Sequence, residues 1–121
     1  MSVKRAADVA QELVSAGVGT TRQVLIGSEE GPHFAMRRFI MQPGGGIPVH
    51  TNTVEHEQYV LRGCAVMTIG DDRVEVKSDD VVFIPAGTPH SYHVVGSEPF
   101  EFLCVIPNLP DRMAISDRPQ T

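Results

Sequence analysis

Glycine and proline recur along the whole chain and divide it into short segments. The 121 residues include 11 glycines and 9 prolines, which mark turns and loops. The runs between them alternate or are rich in β-branched residues, and they comprise residues 22–26, 34–41, 57–61, 65–69, 73–76, 81–84, 91–95 and 100–106. Many short strands at this spacing predict an all-β sandwich or a small barrel.

The two ends of the chain differ from this pattern. Apolar residues at helical spacing, followed by Gly17 as a C-terminal cap, predict one short helix or arm at the N-terminus; they are Ala6, Val9, Ala10, Leu13 and Val14. The segment after Pro107 contains two further prolines and no periodicity. It is predicted to run over the surface or across a neighbouring subunit.

The size and charge of the chain exclude several classes of protein. A mass of 13.2 kDa suits one domain, and a net charge of -5 with basic residues clustered only in pairs argues against a nucleic-acid partner. The longest apolar runs are four or five residues, too short to span a membrane. No apolar signal region follows Met1, so a cytoplasmic location is expected. Cys64 and Cys104 are predicted to be reduced thiols.

Three of the five histidines follow turn-rich segments. His50 ends a glycine-rich turn, His56 begins a strand, and His90 follows a turn with two prolines. Imidazole is the commonest protein ligand for metals. Three histidines on neighbouring strands of one barrel could converge in its mouth, so the sequence predicts a metal site.

Two stretches resemble the paired motifs of the cupin superfamily. Residues 43–63 are similar to the first motif, G(X)5HXH(X)3-4E(X)6G, and residues 79–94 to the second, G(X)5PXG(X)2H(X)3N. The resemblance implies a single cupin domain over residues 1–121, an all-β jelly-roll barrel. Its barrel core would cover about 20–107, with an N-terminal arm at 1–19 and a C-terminal tail at 108–121.

The resemblance also implies a ligand set, with departures at two positions. His50 and His90 occupy ligand positions, whereas Asn52 replaces a histidine and His56 occupies the glutamate position. Residues 55–63 and 101–107 are similar to small cupins that hold manganese with four histidines. Asn52 is then either a weak oxygen ligand or a turn residue beside a three-histidine site. Glu57 is the alternative to His56, because only one of these two neighbours can face the interior.

Neutral ligands leave the full double charge on the ion. The expected cofactor is one divalent transition metal per chain, either Mn, Fe, Cu, Ni or Zn, with open positions for a small-molecule substrate. The resemblance favours a metal-dependent, dioxygenase-type oxidoreductase. The alternatives are a non-catalytic module that binds or senses a sugar or organic acid, and a metal-assisted isomerase or lyase.

Strand alternation identifies the side chains that would surround the metal. Tyr92 lies on the same face as His90, and one arginine of the pair Arg37 and Arg38 must point inward, where it could anchor a carboxylate. The predicted catalytic residues are Arg37, Tyr92 and Cys104, and the predicted pocket residues are Arg37, Phe39, Tyr92, Phe102 and Ile106. The competing interpretations of Tyr92 and Cys104 are an aromatic core residue and a small buried hydrophobe. Exposed sheet edges predict a homodimer.

Overall fold

The computed structural model describes residues 1–115 and consists almost entirely of strands. One 3-10 turn covers Ala6–Asp8. The strands are β1 Glu12–Leu13, β2 Val18–Ile26, β3 Phe34–Asn52, β4 His56–Arg62, β5 Cys64–Ile69, β6 Asp72–Lys77, β7 Val81–Ile84, β8 His90–Val95, β9 Phe100–Pro107 and β10 Met113–Ile115. Residues 116–121 of the predicted tail lie outside the described residues.

The strands form one curled antiparallel sheet with β3 at its centre. The order is β6-β5-β8-β3-β9-β4-β7, while β2 and β10 also pair with β3, and β1 pairs with β2. Alternate side chains of β4 and β7 are buried, as expected for strands with one face toward a core. The buried core includes Met41, Met67, Ile84, Phe100 and Phe102. The predicted all-β barrel is confirmed.

Strand β3 is long enough to serve both halves of the barrel. Its first half, up to Met41, pairs with β2 and β9, and its second half, from Gly46, pairs with β8 and β10. The bend between them requires glycine at residue 46, because a Cβ atom there would lie 2.0 Å from the carbonyl oxygen of Tyr92. The sequence predicted only a turn here, whereas the strand continues through the bend.

A register shift in the second half of β3 decides which side chains face inward. The shift lies between Ile47 and His50 in the pairing with β8, where one strand contributes extra residues to the ladder. Ile47 and Val49 are buried, and so are His50 and Asn52. Burial therefore changes from odd-numbered to even-numbered residues across this bulge.

Of the predicted helix or arm, the N-terminus forms the arm, and its helical part is limited to the 3-10 turn at Ala6–Asp8. Glu12 and Leu13 instead pair with Arg22 and Thr21 of β2. The side-chain amide of Gln23 donates to the carbonyl oxygens of Ala6 and Val9 at 2.8 and 2.9 Å. Both carbonyl oxygens therefore accept hydrogen bonds from β2. So short a helix would be unstable in isolation, whereas the arm is stabilised by its contacts with the sheet.

The beginning of the C-terminal segment packs on its own barrel. Residues 113–115 of β10 pair with residues 50–52 of β3. Residues 113–115 therefore run over the surface of their own barrel, as one of the two alternatives predicted, and they cover the end of β3 that carries two of the predicted metal ligands.

The outward side of β4 and β7 carries exposed apolar side chains. Tyr59, Leu61, Val81 and Phe83 all belong to it. The homodimer remains a prediction, and this surface is where a second copy is expected. Among the described residues, no helix has the length and apolar character needed to cross a membrane.

Candidate metal centre

The predicted metal ligands line one cavity inside the barrel. Its volume is about 210 Å³. Its lining includes the four predicted ligands, two arginines that come from β2 and β3, several aromatic residues and part of the C-terminal segment. The lining residues are Val14, Arg22, Arg37, Phe39, Ile47, His50, Asn52, His56, Gln58, His90, Tyr92, Phe102, Asp111 and Met113. Of the two faces of β8, the cavity is therefore on the one that carries His90.

A second, more open groove of about 540 Å³ lies on the other side of the sheet. Thr68, Arg73, Ser91 and His93 contribute to its lining. None of the three predicted metal-ligating histidines reaches it. We therefore place the candidate centre in the smaller cavity, where the chemistry-bearing side chains converge.

The rings of His50, His56 and His90 are close neighbours in this cavity. The centroids of His50 and His90 are 4.1 Å apart, and those of His56 and His90 are 5.9 Å apart. Within residues 1–115, no three His, Cys, Asp or Glu side chains are already arranged so that they could hold a metal ion. The ligands are thus adjacent rather than closed around one point, and the wider spacing is at His56.

Two of the three rings are oriented by backbone carbonyls two residues earlier. Nδ1 of His50 lies 2.8 Å from the oxygen of Pro48, and Nδ1 of His90 lies 2.9 Å from the oxygen of Thr88. A carbonyl oxygen only accepts, so each Nδ1 carries the proton and donates it. The Nε2 lone pair of both rings is then free, which is the usual arrangement of metal-binding histidines.

Burial keeps the three imidazoles neutral. Burial, together with the positive charges of Arg37 and of a protonated His90, lowers the pKa of His56 to about 3. Burial likewise lowers the pKa of His90 to about 4, aided by His50, and lowers the pKa of His50. Metal ligation requires the neutral form, so these pKa shifts remove proton competition at neutral pH.

The structure shows which of the alternative ligand residues face the cavity. His56 is buried and its neighbour Glu57 is exposed, so His56 is the one that faces the cavity. Asn52 is also buried, and its Nδ2 donates to Oδ2 of Asp111 at 3.3 Å. Its Oδ1 is buried without a hydrogen-bond partner.

Arg37 is the arginine that points into the cavity. Its neighbour Arg38 forms an ion pair with Glu101 at 2.5 Å. Arg37 takes part in none of the ion pairs found within residues 1–115, and its Nε is buried without a partner. Its guanidinium lies 5.0 Å from the centroid of the Phe39 ring, which provides a cation–π contact but no countercharge.

Tyr92 and Gln58 form a polar pair beside the histidines. Nε2 of Gln58 donates to the hydroxyl oxygen of Tyr92 at 2.6 Å. Burial raises the pKa of Tyr92, so its hydroxyl remains protonated. Because the oxygen accepts from Gln58, the hydroxyl hydrogen is available to a bound molecule.

Cys104 lies behind the cavity wall and does not line it. Its Sγ is 3.4 Å from Nδ1 of His56 and accepts a hydrogen bond from Nη2 of Arg37 at 3.5 Å. Burial raises the pKa of this thiol. The thiol therefore lies beside the His56 ring rather than in the cavity wall, and a catalytic role for Cys104 stays a prediction.

The other predicted pocket residues are divided between the cavity and the core. Phe39 and Phe102 line the cavity, whereas Ile106 does not, and it packs against the core cluster instead. The cavity is also lined by Gln58, Asp111 and Met113, which were not predicted from the sequence. Alternation from His56 would have found Gln58, but no local pattern indicated that the C-terminal segment returns to β3.

The donor atoms fit a divalent transition metal. Nε2 of His56, Nε2 of His90 and Oδ1 of Asn52 are all buried without hydrogen-bond partners. Unsatisfied buried polar atoms are costly, and a bound cation would satisfy all three. Imidazole nitrogen suits Zn, Cu, Fe and Ni, and an amide oxygen adds a harder donor that Mn accepts.

The neutral histidines make the metal-free protein sensitive to acid. Below pH 6.5 the unfolded chain binds protons that the folded chain excludes until about pH 4 at His90 and about pH 3 at His56. The stability that the neutral histidines contribute is therefore fully present above about pH 6.5, and it is lost as the pH falls through this window. Between pH 7 and 5 we expect a loss of about 2 kcal/mol for each of these histidines.

Urea unfolding in the presence of a chelator measures this effect. His56→Gln is expected to reduce the loss by about 2 kcal/mol, one histidine's share. His50, Arg37 and Asp111 remain around the site in both proteins, so their contributions are shared. An equal loss in wild type and variant would contradict the predicted role of His56.

The fold and the cavity define a small β-barrel protein with a histidine-rich interior site. A family model described as a cupin domain matches residues 37–106, which is more than half of the chain. The chain therefore belongs to the cupin family.

Two solved structures share this fold over most of the chain. The polyketide cyclase RemF from Streptomyces resistomycificus is 31% identical, with a TM-score of 0.85 over 97% of this chain and 88% of that chain. A predicted oxalate decarboxylase from Thermotoga maritima is 27% identical, with a TM-score of 0.79 over 89% of this chain and 100% of that chain.

One curated relative extends the comparison to archaea. An uncharacterised protein of Methanocaldococcus jannaschii is 34% identical over 65 residues, which cover 48% of this chain and 52% of that protein. The match therefore spans about half the length of that relative.

Proposed function

We propose that this cupin is a metal-dependent enzyme that acts on a small organic anion containing a carbonyl group. The observation that carries this proposal is Arg37, a cavity-lining guanidinium without a carboxylate partner among the described residues. A partly buried charge without a countercharge is costly to the fold. A carboxylate of the substrate would supply the missing partner with charge-assisted hydrogen bonds.

The metal ligands define the reacting end of the same cavity. His50, His56 and His90 would hold the ion, with Asn52 as a fourth donor. A bound divalent ion would polarise a carbonyl oxygen of the substrate as a Lewis acid. Since all four donors are neutral, none of them reduces the charge that acts on the substrate.

Tyr92 and Gln58 orient the substrate between these two ends. The hydroxyl of Tyr92, which accepts from Gln58, donates its own hydrogen to an oxygen of the bound molecule. A protonated donor held in position stabilises negative charge that develops during reaction. Gln58 fixes the direction in which the hydroxyl points.

The aromatic side chains favour a flat substrate. The Phe39 and Phe102 rings are stacked with centroids 5.1 Å apart and planes at 10°, and the Tyr92 and Phe102 rings are stacked at 5.2 Å and 14°. These parallel rings form an apolar wall that excludes water. The cavity volume of about 210 Å³ is below the common range for drug-sized ligands, so the substrate is expected to be small.

The relatives support carbonyl chemistry as the reaction class. The names polyketide cyclase and oxalate decarboxylase both refer to molecules with carbonyl groups, and oxalate is also an anion. We therefore favour a cyclase, lyase or decarboxylase reaction over the oxidoreductase reaction predicted from the sequence. Fold likeness alone does not determine the reaction, and Arg37 and the ligand set are the features of this chain that support the proposed reaction class.

The predicted oxidoreductase remains the second candidate. Four protein donors would leave open positions at a six-coordinate ion, and dioxygen could use them as a carbonyl does. Oxygen consumption by the iron-loaded protein with acetylacetone as substrate distinguishes this reaction from a non-redox one. A binding module would instead retain its ligand unchanged.

Calorimetric titration of the zinc-loaded protein with acetoacetate, oxalate and neutral acetylacetone tests the role of Arg37. We expect the two anions to bind, and Arg37→Gln to weaken them about 10- to 100-fold, because a charge-assisted hydrogen bond contributes about 1.5–3 kcal/mol. Nuclear magnetic resonance spectra of the same mixtures report turnover.

Arg38→Gln is the matched control on the adjacent residue. Its guanidinium pairs with Glu101 rather than reaching the cavity, so anion binding is expected to change less than about twofold. Equal binding by wild type and Arg37→Gln, or equally tight binding of neutral acetylacetone by wild type, would rule out the proposed anchor.

A further inference from the structure

The amide of Asn52 is held in one orientation by Asp111. A carboxylate only accepts hydrogen bonds, so the amide nitrogen of Asn52 must face Asp111, and the amide oxygen must face the other way. The observed contact, from Nδ2 of Asn52 to Oδ2 of Asp111 at 3.3 Å, has this polarity. The oxygen on the other side of the amide is the buried atom without a partner.

Asp111 is itself fixed by the end of β3. Its Oδ1 accepts hydrogen bonds from the backbone nitrogen of Thr53 at 3.0 Å and from the hydroxyl of Thr53 at 3.3 Å. The backbone nitrogen of Arg112 donates to the same hydroxyl oxygen at 2.8 Å. Met113, the residue after Arg112, pairs with Asn52. This pairing holds the C-terminal segment against β3.

These contacts place an oxygen donor among imidazole nitrogens. His50, two residues before Asn52 on β3, is also buried and lines the same cavity. Both oxygens of Asp111 already accept hydrogen bonds from Asn52 or Thr53. The carboxylate is therefore engaged in orienting the amide, while the amide oxygen has no other partner.

The geometry points to Asp111 as a positioning residue that turns Asn52 into the fourth metal ligand through Oδ1. This inference rests on the proposed metal site and adds a role for a residue from the C-terminal segment. Asp111→Asn would allow the new amide to donate to Asn52 Oδ1, so that this oxygen turns away from the metal. The effect on metal binding is predicted to equal that of removing the Asn52 side chain.

Titration of the chelator-treated protein with Co²⁺ alone tests this role, with the visible absorption spectrum as the readout. Asn52→Ala and Asp111→Asn are each expected to weaken Co²⁺ binding about 10- to 100-fold and to change the band positions alike. The double variant is expected to bind as weakly as either single variant, because both substitutions remove one interaction. Urea unfolding of all four proteins verifies that they are folded.

Comparison of the single and double variants distinguishes two roles of Asp111. One is orientation of the Asn52 amide, and the other is simple attraction of the metal ion by the negative charge. If Asp111 acts through its charge, or binds Co²⁺ itself, Asp111→Asn will weaken binding further in the Asn52→Ala background, and the inference is overturned. It is also overturned if Asp111→Asn binds Co²⁺ like wild type. Absence of Co²⁺ binding by wild type would instead reject the proposed metal site, and the inference with it.

Discussion

Replacing His90 by alanine is expected to abolish stable metal binding. His90 is the central ring of the three, within 4.1 Å of His50 and 5.9 Å of His56 between ring centroids. Its removal deletes one ligand and also the ring that lies between His50 and His56. We expect the metal content measured by elemental analysis to fall from one ion per chain to less than about 0.1, since the affinity lost with an imidazole ligand exceeds the 10- to 100-fold typical of its supporting hydrogen bonds.

His93→Ala is the matched control on the same strand. His93 is exposed on the opposite side of β8 and lines only the open groove. Its variant should retain the metal content of wild type, and circular dichroism of both variants in chelator verifies folding. Full metal content in His90→Ala, or none in wild type, would refute the assigned ligand set.

Replacing Gly46 by alanine is expected to cause the largest loss of stability. The new Cβ would lie 2.0 Å from the carbonyl oxygen and 2.8 Å from the carbonyl carbon of Tyr92, both of which belong to the backbone. Strands β3 and β8 would have to separate where Gly46 pairs with His93. We expect the free energy of unfolding to fall by more than about 3 kcal/mol, measured by urea unfolding.

Gly44→Ala in the same bend isolates the effect of this close approach. Gly44 also has a positive φ, of 78°, but its Cβ would meet no atom within 4 Å. The cost should be limited to the left-handed backbone conformation, roughly 1–2 kcal/mol. If the two variants lose equal stability, the contact with Tyr92 is not what excludes a side chain at residue 46.

The strands and their core faces were largely predictable, because local alternation and turn residues determine them. The segments predicted at 57–61, 65–69 and 81–84 lie within observed strands. His56 and His90 could also be identified, since each lies at a fixed distance from a motif glycine or proline. Local pattern was sufficient for these residues.

Two parts of the site depend on contacts distant in sequence. The bulge between Ile47 and His50 reverses the inward face of β3. Strict alternation from the buried Ile47 and Val49 would have placed Thr51, not His50 and Asn52, inside. Asp111 reaches Asn52 only because β10 pairs with β3. No local periodicity encodes either feature. The choice between helix and arm at the N-terminus also depends on a distant contact, since Gln23 of β2 binds the carbonyl oxygens of Ala6 and Val9.

The length of β3 has a mechanical consequence. Arg37 precedes the glycine bend and His50 follows it, so a molecule that contacts both would span the bend. A ligand bound in the cavity would therefore stabilise the conformation of the bend. Since a ligand stabilises the state that binds it, protection from local opening should increase first at this bend rather than uniformly around the barrel.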